Sequence, residues 1–236
     1  MNLSFGEIPG AFDAGAPAYD KLVDTNPGYH KHLRLSAQRM GIPNGGAGLR
    51  LLDAGCGTGA STAALVAAAP HAEIVAVDAS GGMLAQARAK SWPSSVSFVE
   101  SRIEDIAEAG VHGPFDGILA AYLIRNVDDK NGQLRRFREL LAPGGTLAVH
   151  EYSVRDSIVA KTVWNAVCAT IIIPSGRLRS GDASLYTYLR RSVNSFDGAQ
   201  AFQARMRFNG FEAVRKETMP GWQHGIVHTF LGRAPQ

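Results

Sequence analysis

The run Leu49-Arg50-Leu51-Leu52-Asp53-Ala54 leads directly into Gly55-Cys56-Gly57-Thr58-Gly59. Few folds accept such a junction. The apolar run suits a strand buried on both faces of a parallel sheet. The alternating glycines permit positive φ and close approach of the backbone to a ligand. The following segment, Ala60 to Ala69, is rich in strong helix formers. The unit reads as strand, turn, helix, with a ligand at the strand end beside a helix N-terminus, the usual place in open α/β sheets. A second acid, Asp78, closes the next apolar run, Ile74-Val75-Ala76-Val77.

Dinucleotide sites also combine a glycine-rich turn with an acid about 20 residues on. Asp53, immediately before the glycines, and Asp78, at the end of the next strand, shift the reading to S-adenosylmethionine. That molecule has no pyrophosphate. It needs space for a carboxylate, a partner for its amine, and an acceptor for its ribose hydroxyls. Asp78 can accept from both hydroxyls. Ser80 is equally suited to cap the next helix. Asp53 orients the loop or the amine, or is only a turn residue. Gly55, Cys56 and Gly57 form the loop, Ala79 borders the adenosine, Met83 borders the adenine or is plain core, and Ala120 closes the fourth strand beside it.

At 236 residues the chain fits one domain with a lid. A net charge of +3 is too small to argue for nucleic acid. Cys56 and Cys168 are far apart, so neither a disulfide framework nor a metal-binding spacing is expected. That suits a reducing cytoplasm. The first residues lack a basic segment followed by an apolar one, so no signal peptide is expected. No stretch is expected to be long enough to span a bilayer.

Strands are expected at 49–54, 73–78, 96–99, 115–120 and 145–151, with helices at 60–69, 80–90, 103–109 and 131–141. The N-terminal 1–48 reads as an arm at 1–10, a helical lid at 11–40 and a glycine-rich linker at 41–48. Tyr19, Leu22, His30, Leu33 and Leu35 are candidates for covering the cofactor. The core, 49–232, includes a substrate-covering insertion at 152–196, with helices at 156–173 and 183–191 separated by a polar stretch. A helix at 198–209, stopped by Gly210, precedes two strands at 211–216 and 225–232. The expected fold is a Rossmann-like, seven-stranded, mostly parallel sheet with an antiparallel last strand and helices on both faces.

Several segments resemble the ubiquinone/menaquinone biosynthesis C-methyltransferases, a family of class I S-adenosylmethionine-dependent enzymes. The resemblance begins at Phe12-Asp13 and Tyr19-Asp20 and runs through Leu52–Gly59. It sharpens at Arg125-Asn126-Val127 with Asp129, and at Phe137–Gly145. It continues through Tyr186-x-Tyr188-Leu189-x-x-Ser192-Val193-x-x-Phe196, then Gly210–Val214 and Gly225-Ile226-Val227. Departures are visible. Leu123 stands where the family carries a glycine before its arginine-asparagine pair. Arg102 stands where relatives place Asp or Asn near the adenine, which leaves that edge to Ile103, with Glu104 or Asp105 nearby. Phe230 stands where relatives have a histidine, with His228 two residues earlier.

The resemblance implies methyl transfer to a ring carbon of a reduced prenylated quinone or related aromatic lipid. Such a carbon becomes nucleophilic when its phenolic oxygen loses a proton, so a base or a phenolate-stabilising donor is expected. Arg125 can stabilise that charge but cannot act as an ordinary base. Asn126 can orient the oxygen, or both residues can simply organise the loop. Glu151 and His150 are adjacent in a strand and face opposite sides. Tyr122 can close over the methyl donor or belong to the core. Of Tyr186 and Tyr188, which cannot share a helix face, one is expected at the acceptor. His30, His32 and His224 are weaker candidates. Ile171-Ile172-Ile173-Pro174 can cover a prenyl tail, touch a membrane, or simply form a buried cap against the sheet.

The expected partners are a small aromatic or prenyl-quinol acceptor, a membrane surface touched peripherally at its inner face by a cytoplasmic protein, and a second copy in a homodimer. Methylation of another small molecule on oxygen or nitrogen is the alternative. A non-catalytic S-adenosylmethionine binder remains open, and a dinucleotide enzyme less so.

Overall fold

The computed structural model describes residues 10, 13, 16, 20, 23, 26–180 and 184–236. Phe12, Tyr19, Leu22 and nearly all of the expected arm lie outside them. The strands are β1 (Arg50–Ala54), β2 (Glu73–Asp78), β3 (Val96–Glu100), β4 (Phe115–Ala121), β5 (Leu141–Tyr152), β6 (Glu212–Thr218) and β7 (Val227–Arg233). They form one sheet in the order β3-β2-β1-β4-β5-β7-β6. β1 to β5 are mutually parallel, and β7 is antiparallel to both β5 and β6. This is the expected Rossmann-like α/β architecture, with the last strand inserted inside the sheet. The chain winds one way from β1 to β3 and the other way through β4 and β5. The reversal opens a crevice at the carboxyl ends of β1 and β4.

The described helices are α1 (Tyr29–Arg39), α2 (Ala60–Ala68), α3 (Gly81–Arg88), α4 (Lys130–Leu140), α5 (Ile158–Val167), α6 (Ile173–Ser180), α7 (Ser184–Ser195) and α8 (Ala199–Phe208). Strand alternation feeds two cores. Leu51, Leu119, Ala148 and Leu231 pack with Leu33 of α1 and Leu65 of α2. Leu52, Ile118, Leu147 and Phe230 pack on the other face with Phe137 of α4 and Phe202 of α8. Each large side chain so buried contributes roughly 1.5–3 kcal/mol. α8 ends as expected at Gly210 (φ +87). Phe211 N–H bonds Met206 C=O and Gly210 N–H bonds Arg207 C=O, a Schellman closure.

Two expectations fail locally. Residues 103–109 are successive turns rather than a helix, with bonds such as Asp105 N–H to Arg102 C=O. Ile103 and Ile106 are both buried, and a tightened three-residue turn puts both on one side. The glycine-rich 41–48 connects α1 to β1 as an ordered segment. It contains a 3₁₀ turn at Pro43–Gly46, and Gly45 C=O accepts from His71 N–H at 2.9 Å.

The second failure lies in the insertion. The helix does not end at residue 173 but runs on to Ser180, and residues 181–183 of the expected polar stretch lie outside the described residues. α5 continues through a π-helical turn, Cys168–Ile172, into α6, and Ile173 N–H reaches back to Cys168 C=O. Pro174 has no N–H, and its ring would clash with the carbonyl four residues earlier in a regular helix, so a widened turn precedes it. The joined run Ile158–Arg177 is 20 residues long and is apolar enough by length and composition to cross a membrane. The expectation of no such stretch overlooked this join. Ala160, Trp164 and Cys168 pack its inner face into the domain, while Ile158 and Val159 are 87% and 74% exposed.

Candidate active site

The crevice holds a cavity bordered by the glycine loop, the ends of β2 and β4, and α1. Gly55 (φ +74) and Gly57 (φ +54) both take the left-handed backbone that glycine adopts without a Cβ penalty. Gly55 and Cys56 N–H both donate to Val77 C=O, at 2.8 and 3.0 Å, fastening the loop to β2. Asp78 Oδ2 accepts from Gly57 N–H at 2.8 Å, and Oδ1 from Ser80 N–H at 2.9 Å. A carboxylate has about four acceptor positions, so each oxygen keeps capacity for a ribose hydroxyl. Burial pushes the Asp78 pKa above its ordinary value despite these backbone donors. Ser80 Oγ caps α3 by accepting from Met83 N–H at 3.1 Å.

Asp53 lies under the loop, fully buried, and does not line the cavity. Its Oδ2 accepts from the Ser61 and Thr62 hydroxyls at 2.8 and 2.6 Å, while Oδ1 has no partner. Burial raises its pKa to about 7, opposed by the two hydroxyls. This geometry orients the loop and the first turn of α2. That turn has no side-chain cap, so its first N–H groups can receive a carboxylate. A Cβ on Gly57 would meet open space. The loop, the remaining acceptor capacity of Asp78 and the uncapped helix start together fit S-adenosylmethionine.

Cys56, Ala79, Met83, Ile103 and Glu104 border the cavity. Ala120 does not. It is fully buried in the sheet, and Ala121, one residue further along β4, lines the cavity instead. Two acids quoted only within the resemblance also reach the donor side. Asp20 accepts from Thr58 Oγ1 at 2.5 Å and pairs with Lys90 at 2.6 Å. Asp13 accepts from Ser80 Oγ and from Gly82 N–H. Both pairings join residues far apart in sequence, so no local pattern announces them. Among the described residues no cluster of His, Cys, Asp and Glu could hold a metal.

The other end of the cavity gathers Tyr122, Leu123, Arg125 and Asn126 from the turn after β4, with Tyr29 and Leu33 from α1. Arg125 Nη1 lies 2.7 Å from Glu151 Oε1 in an ion pair whose side chains are 6% and 0% exposed. Burial pushes the Glu151 pKa upward, and the guanidinium opposes that push. Glu151 also accepts from Tyr152 N–H at 2.9 Å, and Arg125 Nη1 donates to Tyr122 C=O at 3.1 Å. Arg125 Nε is buried without a partner.

Asn126 Nδ2 donates to Tyr122 C=O at 3.1 Å, and its Oδ1 accepts from Tyr188 at 3.0 Å. Its amide therefore organises the loop. Tyr188 reaches the site through Asn126. Tyr186 packs elsewhere, against Gly176 of α6. His150 and Glu151 do face opposite sides, His150 toward Ser36 of α1 and Glu151 toward Arg125. His32 is buried against Gln223, His30 and His224 are exposed, and none of the three lines the cavity. Leu123 crowds the donor loop: a Cβ on Gly55 would lie 3.0 Å from its Cδ1.

The profile of the ubiE/COQ5 methyltransferase family matches residues 6–233. The chain belongs to this family. It is 34% identical over 224 residues to the ubiquinone/menaquinone biosynthesis C-methyltransferase UbiE of Syntrophotalea carbinolica, covering 94% of this chain and 91% of that one. It is 28% identical to the demethylmenaquinone methyltransferase of Clavibacter sepedonicus, over 98% and 91% of the two chains. Among solved structures, the phosphoethanolamine N-methyltransferase 2 of Haemonchus contortus superposes with a TM-score of 0.67 at 18% identity, covering 98% of this chain and 59% of that one. The plantazolicin methyltransferase BpumL superposes with a TM-score of 0.65 at 11% identity, over 96% and 95%. These two share the fold. The protein is an S-adenosylmethionine-dependent methyltransferase related to the quinone-methylating enzymes.

Proposed function

We propose that this ubiE/COQ5-family enzyme methylates a ring carbon of a reduced prenylated quinone or a closely related aromatic lipid. The observation that carries the reading is near full-length similarity to relatives named for quinone C-methylation. The residues at the cavity suit that chemistry. S-adenosylmethionine, when bound, supplies an electrophilic sulfonium methyl. Asp78 holds the ribose, the glycine loop and the start of α2 hold the amino-acid end, and Met83 and Ile103 flank the adenine. Arg125, protonated and buried, stabilises negative charge on the acceptor oxygen through its unpartnered Nε–H, while Glu151 keeps the guanidinium in place. Asn126 and Tyr188 hold the turn that presents Arg125. α1 covers the site and excludes water.

The insertion is the membrane-facing part of this reading. Residues 152–196 contain six Lys and Arg and two Asp and Glu, while the whole chain carries only +3. These cations accompany the exposed Ile158, Val159, Val163 and Ile171. An apolar helix face with a cationic surround suits peripheral binding to an anionic bilayer, each cation contributing about 1 kcal/mol near the surface. Ile171→Asp should weaken sedimentation with phosphatidylglycerol vesicles while leaving donor binding intact. A concentration-dependent dimer that masks this face, with no vesicle binding, would replace the membrane reading.

Labelled S-adenosylmethionine with demethylmenaquinol in vesicles tests the acceptor. Label on a ring carbon, resistant to methyl-ether cleavage, is expected. Transfer only to oxygen or nitrogen of a soluble molecule would favour the second reading, which the bulk of Leu123 over Gly55 supports by narrowing the cleft.

A further inference from the structure

Arg125 lines the acceptor end of the cavity, and its charge is held by Glu151 through one nitrogen and one oxygen, Nη1 to Oε1 at 2.7 Å. The same nitrogen donates to Tyr122 C=O at 3.1 Å. Both contacts gather at one corner of the guanidinium. A pair of this kind lacks the two parallel bonds by which a bidentate carboxylate fixes the guanidinium plane.

Aromatic rings bound the rest of the group. Arg125 Cζ lies over the Tyr122 ring at 5.8 Å from its centroid and over the Tyr152 ring at 5.7 Å. Those rings are themselves 5.0 Å apart and inclined by 31°. A cation within about 6 Å of a ring centroid is drawn to the negative face, most strongly where water is excluded. Arg125 and Tyr152 are both buried.

The register of the sheet explains why Tyr152 is available for this. β4 pairs with β5 as far as Ala121 opposite His150, so Glu151 and Tyr152 extend past the end of β4. Neighbouring strand residues point to opposite faces. Arg125, placed beyond that end, is reached by Glu151 from one side and Tyr152 from the other. The Tyr152 ring is also packed on Trp164 of α5, with centroids 4.7 Å apart. Trp164 is fully buried, and it joins Tyr152 to the core under the insertion with Ala160, Cys168 and Val193.

We propose that Tyr152, braced by Trp164 of the insertion, is a positioning residue whose ring holds the Arg125 guanidinium in its working plane at the acceptor end. The inner side of α5 then takes part in methyl transfer, whatever its outer side touches. That Arg125 meets an acceptor oxygen rests on the reading above. The packing of the ring on the guanidinium does not.

The first test is the ¹⁵N–¹H correlation spectrum of the arginine side chains in the full-length protein without ligands, with the Arg125 Nε–H identified by its loss in Arg125→Lys. A proton over an aromatic face is shielded by the ring current. The signal should lie upfield of those of exposed arginines in the wild type and in Tyr152→Phe, and move toward them in Tyr152→Leu. A wild-type signal at the ordinary position, or one unmoved by Tyr152→Leu, would overturn the proposal, and the wild-type spectrum decides even where the leucine variant does not fold.

The second test is kinetic. Tyr152→Leu should lower kcat about tenfold through misplacement of Arg125, with the dissociation constant of S-adenosylhomocysteine changed less than about twofold. Tyr152→Phe, which keeps the ring, should recover most of that loss. Full turnover by Tyr152→Leu, an equal loss of donor affinity, or a phenylalanine variant as impaired as the leucine variant would defeat the positioning role of the ring. Absence of wild-type turnover on any phenolic acceptor would sink the acceptor reading alone, because the spectrum judges the packing independently.

Discussion

The two ends of the cavity are built by different rules. The donor end comes mainly from one stretch of chain, the loop after β1, the end of β2 and the start of α3, with backbone N–H groups as the principal donors to Asp78 and with Asp13 and Asp20 reaching in from the N-terminal segment. The acceptor end is made from side chains that converge across the sheet, Arg125 on Glu151 and Ser36 on His150, the latter pair 114 residues apart. Backbone geometry tolerates side-chain change. A buried network of charges and hydroxyls does not. Substitution should therefore separate the two ends cleanly, the donor end failing in binding and the acceptor end in stability and turnover.

The largest effect is expected at the acceptor end. Glu151→Ala leaves the buried Arg125 charge uncompensated and should cost about 3–5 kcal/mol of stability, read by urea denaturation. A loss below about 1 kcal/mol would show that the pair is dispensable and break the contrast. Next is Asp78→Ala. It removes the proposed ribose acceptor and should weaken S-adenosylhomocysteine binding by about 2–3 kcal/mol, the scale of hydrogen bonds to a charged group. Calorimetry with unchanged affinity would overturn that assignment.

Arg125→Lys keeps the charge but loses the planar donor fork. Turnover should fall roughly tenfold to a hundredfold while donor affinity holds. Equal losses in both would merge the two ends into one unit.

A subtler contrast concerns pH. Asp53 is raised to about 7 in the folded protein by burial, above its unfolded value of about 4. Its stabilising contribution is complete below the unfolded value and is lost as pH rises through about 7. Asp53→Asn keeps the acceptor for Ser61 and Thr62 and removes this titration. Its stability relative to wild type should climb between about pH 4 and about pH 7 and then level off. A flat difference would mean that the carboxyl titrates at its ordinary value. The smallest effect is expected from Leu123→Ala, which opens the space over Gly55 and should alter the ranking of acceptors by size with little change in stability.

The contrast also explains what could be read from the chain. The glycine loop, Asp78, the five parallel strands and the closing hairpin rest on short-range signals: apolar periodicity, glycine spacing and an acid at a strand end. The Arg125–Glu151 pair could not be foreseen as a pair, since it depends on which neighbour β4 takes in the sheet. The opposed faces of His150 and Glu151 follow from strand alternation, but the partners of each depend on α1 and β7. Ala120 missed by one residue because the cavity begins where β4 ends. The helix at 103–109 dissolved into turns because burying Ile103 and Ile106 together outweighed propensity. The unbroken α5–α6 run was hidden by Pro174, whose clash is absorbed by the π turn.

The position of β7 has a consequence for how the enzyme comes into being. β7 lies between β5 and β6 and is made after both. On the ribosome, everything that fastens the donor loop from β1 to α3 emerges early and in order, whereas Thr229 and the strand that carries it emerge near the end. Until then β5 and β6 present open edges to each other, vulnerable to pairing with a neighbouring chain. The nascent protein thus passes through a stage with the donor cleft assembled and Ser36 and His150 still lacking the hydroxyl of Thr229. Closure of the sheet is a late event in synthesis.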